Sequence, residues 1–326
     1  MERNVPAPPA FTPLDPRKFR DPELTAQGKR RASVALRRLE TLWFNTGTLC
    51  NIECAHCYIE SSPTNERLAY LTVADVTRFL DEADALGQRP HTAGFTGGEP
   101  FMNPDIAAIL DAALARGHDV LVLTNAMRPM MRPRVQAALV ELNRRYGAKL
   151  ALRVSLDHWR ADRHDEERGI GSFAETLEGL RWLRDHHLSI AIAGRSRWGD
   201  SDRDLRAGYG ALCAREHLAI DADDQAALVI FPEMDARADV PEITVDCWHI
   251  LNKRPDEVMC ASGRMVLKHK GAAAPAVVAC TLLPYDPRFE LGPTLAGALS
   301  PVTLNHPHCA TFCILGGASC QAPARR

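Results

Sequence analysis

Between residue 39 and about residue 232, short apolar runs alternate with helical patterns, and this alternation constrains the fold more than any other feature. Helical spacing is clearest where Val76, Phe79, Leu80 and Ala83 share one face. The apolar runs have the length of strands and occupy residues 39–44, 92–95, 120–123, 150–156, 190–193 and 228–231. Six β-α repeats require parallel strands with right-handed crossovers. The pattern therefore predicts an α/β fold, either an open parallel barrel or a doubly wound sheet.

Polar or special residues follow every one of these six predicted strands. Both architectures bind their ligands at the carboxyl ends of the strands, so these residues should meet at one edge. In strand order they are Cys50, Cys54 and Cys57; Gly97 to Pro100; Asn125; Ser155 and Asp157; Arg195; and Glu233 and Asp235. The last three are candidates for a catalytic acid or base by position alone.

The first strand is followed by three cysteines within eight residues, with the spacing C-x3-C-x2-C at Cys50, Cys54 and Cys57. A cubane iron–sulfur cluster has four irons, and this loop can ligate three of them, which leaves one iron open to another ligand. Zinc is the alternative, but zinc sites usually combine two cysteine pairs. A fully ligated electron-carrier cluster would need a distant thiolate, such as Cys213 or Cys247.

The second strand is followed by the turn Gly97-Gly98-Glu99-Pro100. Glycines lack a Cβ atom, so the backbone can approach a ligand closely there. The turn could offer carbonyl oxygens, and Glu99 a carboxylate, to the ammonium group of a ligand.

Composition limits the possible partners and the compartment. The chain has 326 residues and a formal net charge of −2, so no excess of positive charge indicates nucleic acid or an anionic membrane. It has no apolar run of roughly 20 residues and no apolar signal segment in its polar, proline-rich N-terminus. We therefore expect a cytoplasmic protein, in which ten cysteines indicate metal binding rather than disulfides.

Taken together and in this order, the motifs resemble those of the radical S-adenosylmethionine (SAM) superfamily. The residues that carry the resemblance are 43–58, 96–100, 123–125 and 154–157, and it covers roughly residues 39–235. The resemblance implies a partial (β/α)6 TIM-like barrel. It also implies that Cys50, Cys54 and Cys57 hold a [4Fe–4S] cluster whose open iron is chelated by SAM. Reductive cleavage of SAM would give a 5′-deoxyadenosyl radical that abstracts hydrogen from a substrate.

The resemblance also implies the contacts of SAM. The glycine turn and its glutamate would receive the ammonium group. Ser155 and Asp157 would face the ribose, with Asn125 close by, and Arg195 could pair with the carboxylate. His56 stands where family members often have an aromatic residue near the adenine, which is a departure from the family pattern.

The last 80 residues have a different pattern. Strand-like residues 265–268 and 276–279 flank the turn Lys270-Gly271, which predicts a β-hairpin. The cysteine spacing resembles the twitch domain, the short form of the SPASM extension, and thus implies a second, auxiliary [4Fe–4S] cluster. Its implied ligands are Cys260, Cys280, Cys309 and Cys313, with Cys320 as an alternate. The expected domains are an arm with a short helix (1–38), a barrel (39–240) and a small hairpin and helix/loop domain that binds the auxiliary cluster (241–326).

These expectations describe an enzyme. The leading hypothesis is oxidation or rearrangement of a small molecule, with the auxiliary cluster as electron acceptor and a flavodoxin- or ferredoxin-type reductant as partner. One alternative is a peptide maturase that forms thioether or carbon–carbon crosslinks in a ribosomally made peptide. The other is a non-catalytic iron–sulfur electron carrier.

Overall fold

The computed structural model describes residues 12–317, which are built around one nine-stranded sheet. Its central part is six parallel strands in sequence order: β2 (Thr41–Asn45), β3 (Thr92–Thr96), β4 (Asp119–Thr124), β5 (Leu150–Ser155), β6 (Ser189–Arg195) and β7 (Leu228–Phe231). All six match predicted runs to within two residues. The sheet has free edges at β7 and at β10 (Glu290–Gly292), so this is an open, partial barrel.

The helices connect consecutive parallel strands. They are α1 (Val73–Ala85), α2 (Ile106–Ala115), α3 (Pro133–Tyr146), α4 (Ala161–Arg168), α5 (Ser172–Asp185) and α6 (Asp202–Arg215), and a short α7 (Cys247–Ile250) follows β7. Thr72 caps α1 through a capping box with Asp75. Ser172 does not cap α5, because Asp165 instead accepts hydrogen bonds from the main chain of Gly171 and Phe173. Within residues 12–317, no helix has the length and apolar character needed to cross a membrane.

Side chains alternate between the two faces of each parallel strand, and this alternation separates core from site. On β5, Leu152 and Val154 are fully buried in the core between the sheet and the helices. Arg153 and Ser155 point to the other face and line a cavity inside the barrel. The strand thus supplies packing and site residues from one short segment.

The C-terminal segment continues the same sheet. Strand β8 (Gly263–Leu267) pairs in parallel with β2 and antiparallel with β9 (Ala276–Val278), which pairs with β10. The predicted hairpin is therefore present, and Gly271 in its connection has a φ of +80° that favours glycine. Because β8 lies beside β2, the hairpin is attached directly to the strand that precedes the cysteine loop.

The N-terminal segment contains no helix between residues 12 and 38, so the predicted short helix is wrong. The segment is extended: β1 (Ser33–Val34) pairs with β11 (Val302–Thr303). The buried carboxylate of Glu242 accepts hydrogen bonds from the main chain of Phe19 and Ala26 and pairs with Arg31 at 2.6 Å. Arg31, one of the basic residues of this segment, therefore attaches the segment to the C-terminal part of the chain.

Candidate active site

A cavity of about 150 Å³, here called the first cavity, lies at the carboxyl ends of the parallel strands. It is the edge at which the sequence predicts a site. The predicted residues that line it are Cys50, Cys54, His56, Cys57, Gly97, Gly98, Asn125, Ser155, Asp157 and Arg195. Glu99, Pro100, Glu233 and Asp235 are not among its lining residues.

The cysteine loop is held by hydrogen bonds to its main chain and sulfurs. Cys50 is buried and its amide donates to the Ser62 carbonyl at 3.0 Å, while the Ser61 amide donates to the Cys57 sulfur at 3.3 Å. Burial raises the pKa of Cys50 to about 12 and that of Cys54 to about 11. Burial therefore favours the protonated thiols in the metal-free chain, and a metal that binds them must displace these protons.

The glycine turn packs against the segment that leads into the cysteine loop. The Gly98 amide donates to the Gly47 carbonyl at 2.8 Å, and the Glu99 amide donates to the Leu49 carbonyl at 3.1 Å. A Cβ atom on Gly98 would overlap the Leu49 carbonyl, and one on Gly97, whose φ is +139°, would overlap that of Gly47. The two glycines therefore fix the turn next to the cysteine loop, in addition to exposing backbone in the cavity.

Glu99 is a structural carboxylate behind the cavity. It is 2% exposed, and each of its oxygens accepts one main-chain amide, from Phe101 at 3.1 Å and from Asn125 at 2.9 Å. The hydroxyl of Thr124 donates to both oxygens. Burial raises the pKa of Glu99 to about 7, although these hydrogen bonds oppose the shift. Glu99 joins the turn after β3 to the turn after β4 and so orients Asn125, whose side-chain nitrogen lies 3.9 Å from the Cys50 sulfur.

Asp157 forms a buried ion pair that the sequence analysis missed. The guanidinium of Arg168 donates to the two oxygens of Asp157 at 2.6 and 3.1 Å. Burial alone would raise the pKa of Asp157, but the charge of Arg168 holds it below its ordinary range. Arg168 also lines the first cavity and acts electrostatically on Cys54 and Cys50. It places a cation beside the cysteine loop, where a cluster or a ligand carboxylate would carry negative charge.

The neighbouring Glu167 connects the cysteine loop to β6. Its carboxylate accepts from the His56 amide at 2.9 Å, contacts His56 Nδ1 at 2.9 Å and pairs with Arg195 at 2.6 Å. Arg195 in turn pairs with Glu233 at 2.8 Å. The segment 165–168 is as charged as a solvated helix end. The one local signal is the pair of glycines at 169 and 171, directly after the end of α4 at Arg168.

Arg195, Glu233 and Asp235, the candidates for an acid or base by position, are all held in ion pairs. Arg195 is shared between Glu167 and Glu233, and Asp235 pairs with Arg237 at 2.8 Å. Met234, between Glu233 and Asp235, and Pro232, just before them, line the cavity instead. The wall after β7 is therefore largely apolar.

The four predicted ligands of the auxiliary cluster surround a second cavity of about 20 Å³, and all four line it: Cys260, Cys280, Cys309 and Cys313. Cys309 and Cys313 lie four residues apart on a π-helix (Cys309–Leu315), whose wide turn brings them near one face. Burial raises the pKa of Cys260 to about 11. Cys320, the alternate ligand, lies outside the described residues.

The two cavities are adjacent, because Leu282 lines both of them. Phe312, between Cys309 and Cys313, lines the first cavity and packs on Phe231 with ring centres 5.3 Å apart. The second cysteine group is therefore separated from the first cavity by a thin apolar wall.

Zinc and a fully ligated carrier cluster are the alternatives for the first cysteine group. Across residues 12–317, no group of three or more His, Cys, Asp or Glu side chains is arranged to hold a single metal ion. In each cysteine group the thiols line a cavity. Within the described residues, no fourth cysteine lines the first cavity: Cys213 lies on α6 and is buried in the core, and the Cys247 sulfur accepts a hydrogen bond from the Thr244 amide.

Comparison with known proteins identifies the domain. The family model of the radical SAM superfamily matches residues 44–203. The chain contains a radical SAM domain. Enzymes of the radical SAM superfamily use a [4Fe–4S] cluster and SAM. The three thiols, the adjoining glycine turn and the cation of Arg168 fit that pair of cofactors in donor chemistry and charge.

Curated relatives match the radical SAM domain rather than the whole chain. The subtilosin biosynthesis protein AlbA of Bacillus subtilis is 36% identical over 146 residues, which are 44% of this chain and 30% of AlbA. The heme synthase of Methanosarcina barkeri is 33% identical over 44% of this chain and 38% of its own length. The mycofactocin maturase MftC of Mycobacterium ulcerans is 29% identical, over 44% and 37% respectively. The matches thus span about a third of each relative.

Solved structures share the fold of more than three quarters of this chain. Streptococcus suis SuiB bound to S-adenosylmethionine superposes with a TM-score of 0.57 at 12% identity, covering 78% of this chain and 63% of SuiB. SuiB bound to the precursor peptide SuiA gives a TM-score of 0.57 at 11% identity, covering 79% and 63%. At this identity the likeness shows the fold alone, and that fold agrees with the predicted partial barrel.

Proposed function

We propose that this protein is a radical SAM peptide maturase that carries an auxiliary iron–sulfur cluster. The observation that carries the proposal is the first cavity, which is lined by Cys50, Cys54 and Cys57 and also by Leu282, a residue that it shares with the cavity of the second cysteine group. A substrate in this cavity would lie between the site of radical formation and an electron acceptor.

The choice of a peptide substrate rests on the relatives. AlbA takes part in bacteriocin biosynthesis and MftC is a maturase, while SuiB binds a precursor peptide. These names favour the peptide alternative over the small-molecule reaction that was the leading hypothesis from the sequence. The heme synthases among the relatives keep small-molecule chemistry as the second candidate.

Within this proposal, Cys50, Cys54 and Cys57 hold the first cluster. When bound, the cluster and SAM supply reductive cleavage of the sulfonium bond and a 5′-deoxyadenosyl radical. The backbone of Gly97 and Gly98 receives the SAM ammonium group, with Pro100 and the buried Glu99 shaping the turn from behind.

Other residues orient the rest of SAM. Ser155 faces the ribose, while Asp157 is held in place by Arg168. Arg195 stays the candidate for the SAM carboxylate and Arg168 is the second, because both line the first cavity and each already pairs with protein carboxylates. His56 lines the cavity with its ring held by Glu167, and it stays the candidate beside the adenine.

The apolar wall of the first cavity protects the reaction from water. Phe231, Leu282 and Phe312 exclude water from the substrate radical. To form a crosslink, the substrate must lose one hydrogen atom, one electron and one proton. Cys260, Cys280, Cys309 and Cys313 would hold the cluster that accepts the electron, directly behind Leu282. Because Glu233 and Asp235 are engaged with arginines, neither is assigned as the base.

In this assignment the barrel (39–240) makes the radical and residues 241–326 hold the acceptor. A flavodoxin- or ferredoxin-type reductant would supply the electron for SAM cleavage. The two units share one sheet through β2 and β8, so the acceptor has a fixed position relative to the cavity.

The test is anaerobic turnover with reconstituted protein, SAM and dithionite. The probes are synthetic peptides encoded by short reading frames beside the gene, with a scrambled peptide as control. We expect 5′-deoxyadenosine formation and, for one peptide, a mass lower by two hydrogen atoms per crosslink. Absence of 5′-deoxyadenosine would refute radical SAM activity. If SAM is cleaved but the peptides stay unmodified while a porphyrin precursor is converted, the small-molecule candidate replaces the peptide proposal.

A further inference from the structure

His308 is a buried polar side chain in the wall of the second cavity. It is 9% exposed and lines the cavity together with the four cysteines. Its Nδ1 atom is buried and makes no hydrogen bond to any group within residues 12–317. A buried nitrogen without a partner costs about 1–3 kcal/mol, so native proteins usually provide a partner or a bound group.

The surroundings of His308 offer few partners besides sulfur. The remaining wall of the second cavity is apolar, with Met259, Leu283, Phe289 and Leu304 among its members. The main-chain amide of His308 donates to Nδ1 of His306 at 3.0 Å, and the two rings meet edge to face at 4.6 Å. The ring contact restricts the His308 ring, and among the described residues that line the second cavity the other polar side chains are the four cysteine thiols.

We propose that His308 donates a hydrogen bond from Nδ1 to a sulfur of the auxiliary cluster and thereby raises the reduction potential of that cluster. The inference rests on the auxiliary cluster of the proposed function. Four cysteines already satisfy the four irons of a cubane, so His308 is a positioning and tuning residue rather than a ligand. A hydrogen bond to cluster sulfur stabilises the reduced, more negative state, and such bonds are one means by which proteins set cluster potentials. A higher potential makes the cluster a better acceptor for the electron of a substrate radical.

The test isolates the auxiliary cluster by removing the first one. In a chain with Cys50→Ala, Cys54→Ala and Cys57→Ala, the remaining iron and its reduction potential are measured by anaerobic redox titration with electron paramagnetic resonance. His308→Leu removes the donor, whereas His308→Gln keeps an N–H group. Thr311→Val is the matched control, because Thr311 lies on the same π-helix, bonds to the Pro307 carbonyl and does not line the cavity.

We expect His308→Leu to retain the iron but to lower the midpoint potential, changing the reduced-to-oxidised ratio at a fixed poise about tenfold, which is about 59 mV for a one-electron couple. His308→Gln should restore much of the shift, and Thr311→Val should leave the potential unchanged. An unchanged potential in His308→Leu overturns the inference, and so does complete loss of iron, which would make His308 a ligand. If the chain with His308 intact binds no iron, the auxiliary cluster itself is refuted, and this result is read before His308 is changed.

Discussion

Glu167 provides the sharpest test of how the cysteine loop is held. It is buried to 1% side-chain exposure, and its carboxylate bonds to the amide and ring of His56 and to Arg195. Its main-chain carbonyl also accepts the Ala55 amide at 2.8 Å. Two residues of the cysteine loop therefore depend on this one residue of α4.

The cost of changing Glu167 can be worked out from these contacts. Breaking a buried ion pair costs about 3–5 kcal/mol, because the remaining charge is left in low dielectric. Arg195 keeps Glu233 as a partner and is 15% exposed, so we expect Glu167→Ala to lower the free energy of unfolding by about 3 kcal/mol. In Glu167→Gln the amide oxygen can keep the His56 amide and Arg195, while the amide nitrogen donates to His56 Nδ1. Only the charge is lost, and we expect about 1 kcal/mol.

Urea denaturation of the metal-free protein measures these differences, and iron content after reconstitution measures the effect on the loop. The matched control is Glu166→Gln. Glu166 is exposed on the same helix, and its carboxylate accepts a hydrogen bond from the indole of Trp198 at 3.0 Å. It should change the free energy of unfolding by less than about 0.5 kcal/mol. If Glu167→Ala is no more destabilised than Glu166→Gln, or binds full iron at the first site, the loop is not held as described.

Three further predictions follow from other buried groups. Glu99→Gln should destabilise the metal-free protein by about 1–3 kcal/mol in urea, because its amide nitrogen must face the main-chain amide of either Phe101 or Asn125; an unchanged midpoint would contradict this. Cys260→Ala should halve the iron per chain while 5′-deoxyadenosine is still formed from SAM, and full iron would exclude Cys260 as a ligand. Burial raises the pKa of Glu242, but amide hydrogen bonds and Arg31 outweigh burial and lower it, so its contribution to stability is present above the ordinary glutamate pKa of about 4.3 and is lost as pH falls below it. Glu242→Gln should therefore make the free energy of unfolding depend less on pH between about pH 5 and pH 3. Parallel curves for the variant and the unchanged protein would refute this role.

The parts of the fold that could be predicted from the sequence are those specified locally. Buried parallel strands are continuous apolar runs, and a ligand loop needs closely spaced cysteines, so β2 to β7 and Cys50, Cys54 and Cys57 are visible in the sequence. The hairpin of β8 and β9 is visible because alternating residues flank a glycine turn. None of these features requires knowledge of a distant contact.

The parts that could not be predicted depend on such contacts. Glu167 and Arg168 lie in a charged stretch whose only local interpretation is a solvated helix, and their burial arises because α4 ends against the cysteine loop. The short helix expected within residues 1–38 is wrong for a similar reason, since Arg31 in that segment pairs with Glu242 more than 200 positions away. For Glu99, the motif indicates a ligand contact, whereas its burial behind the turn depends on Asn125.

The same limit applies to the relation between the two cysteine groups. The sequence suggests separate units that meet near residue 240, but β8 forms hydrogen bonds with β2, the strand that delivers the first cysteine loop. Trp43 on β2 and Met265 on β8 are buried in one cluster with Phe312, and the partly buried Phe231 packs against this cluster, as do Cys280, Cys309 and Cys313. Neither group can shift without disturbing this shared core, because packed interiors resist small displacements. The spacing between the two cavities is therefore set by the fold itself, which is the condition for an acceptor that must stay close to a substrate radical without opening the cavity to water.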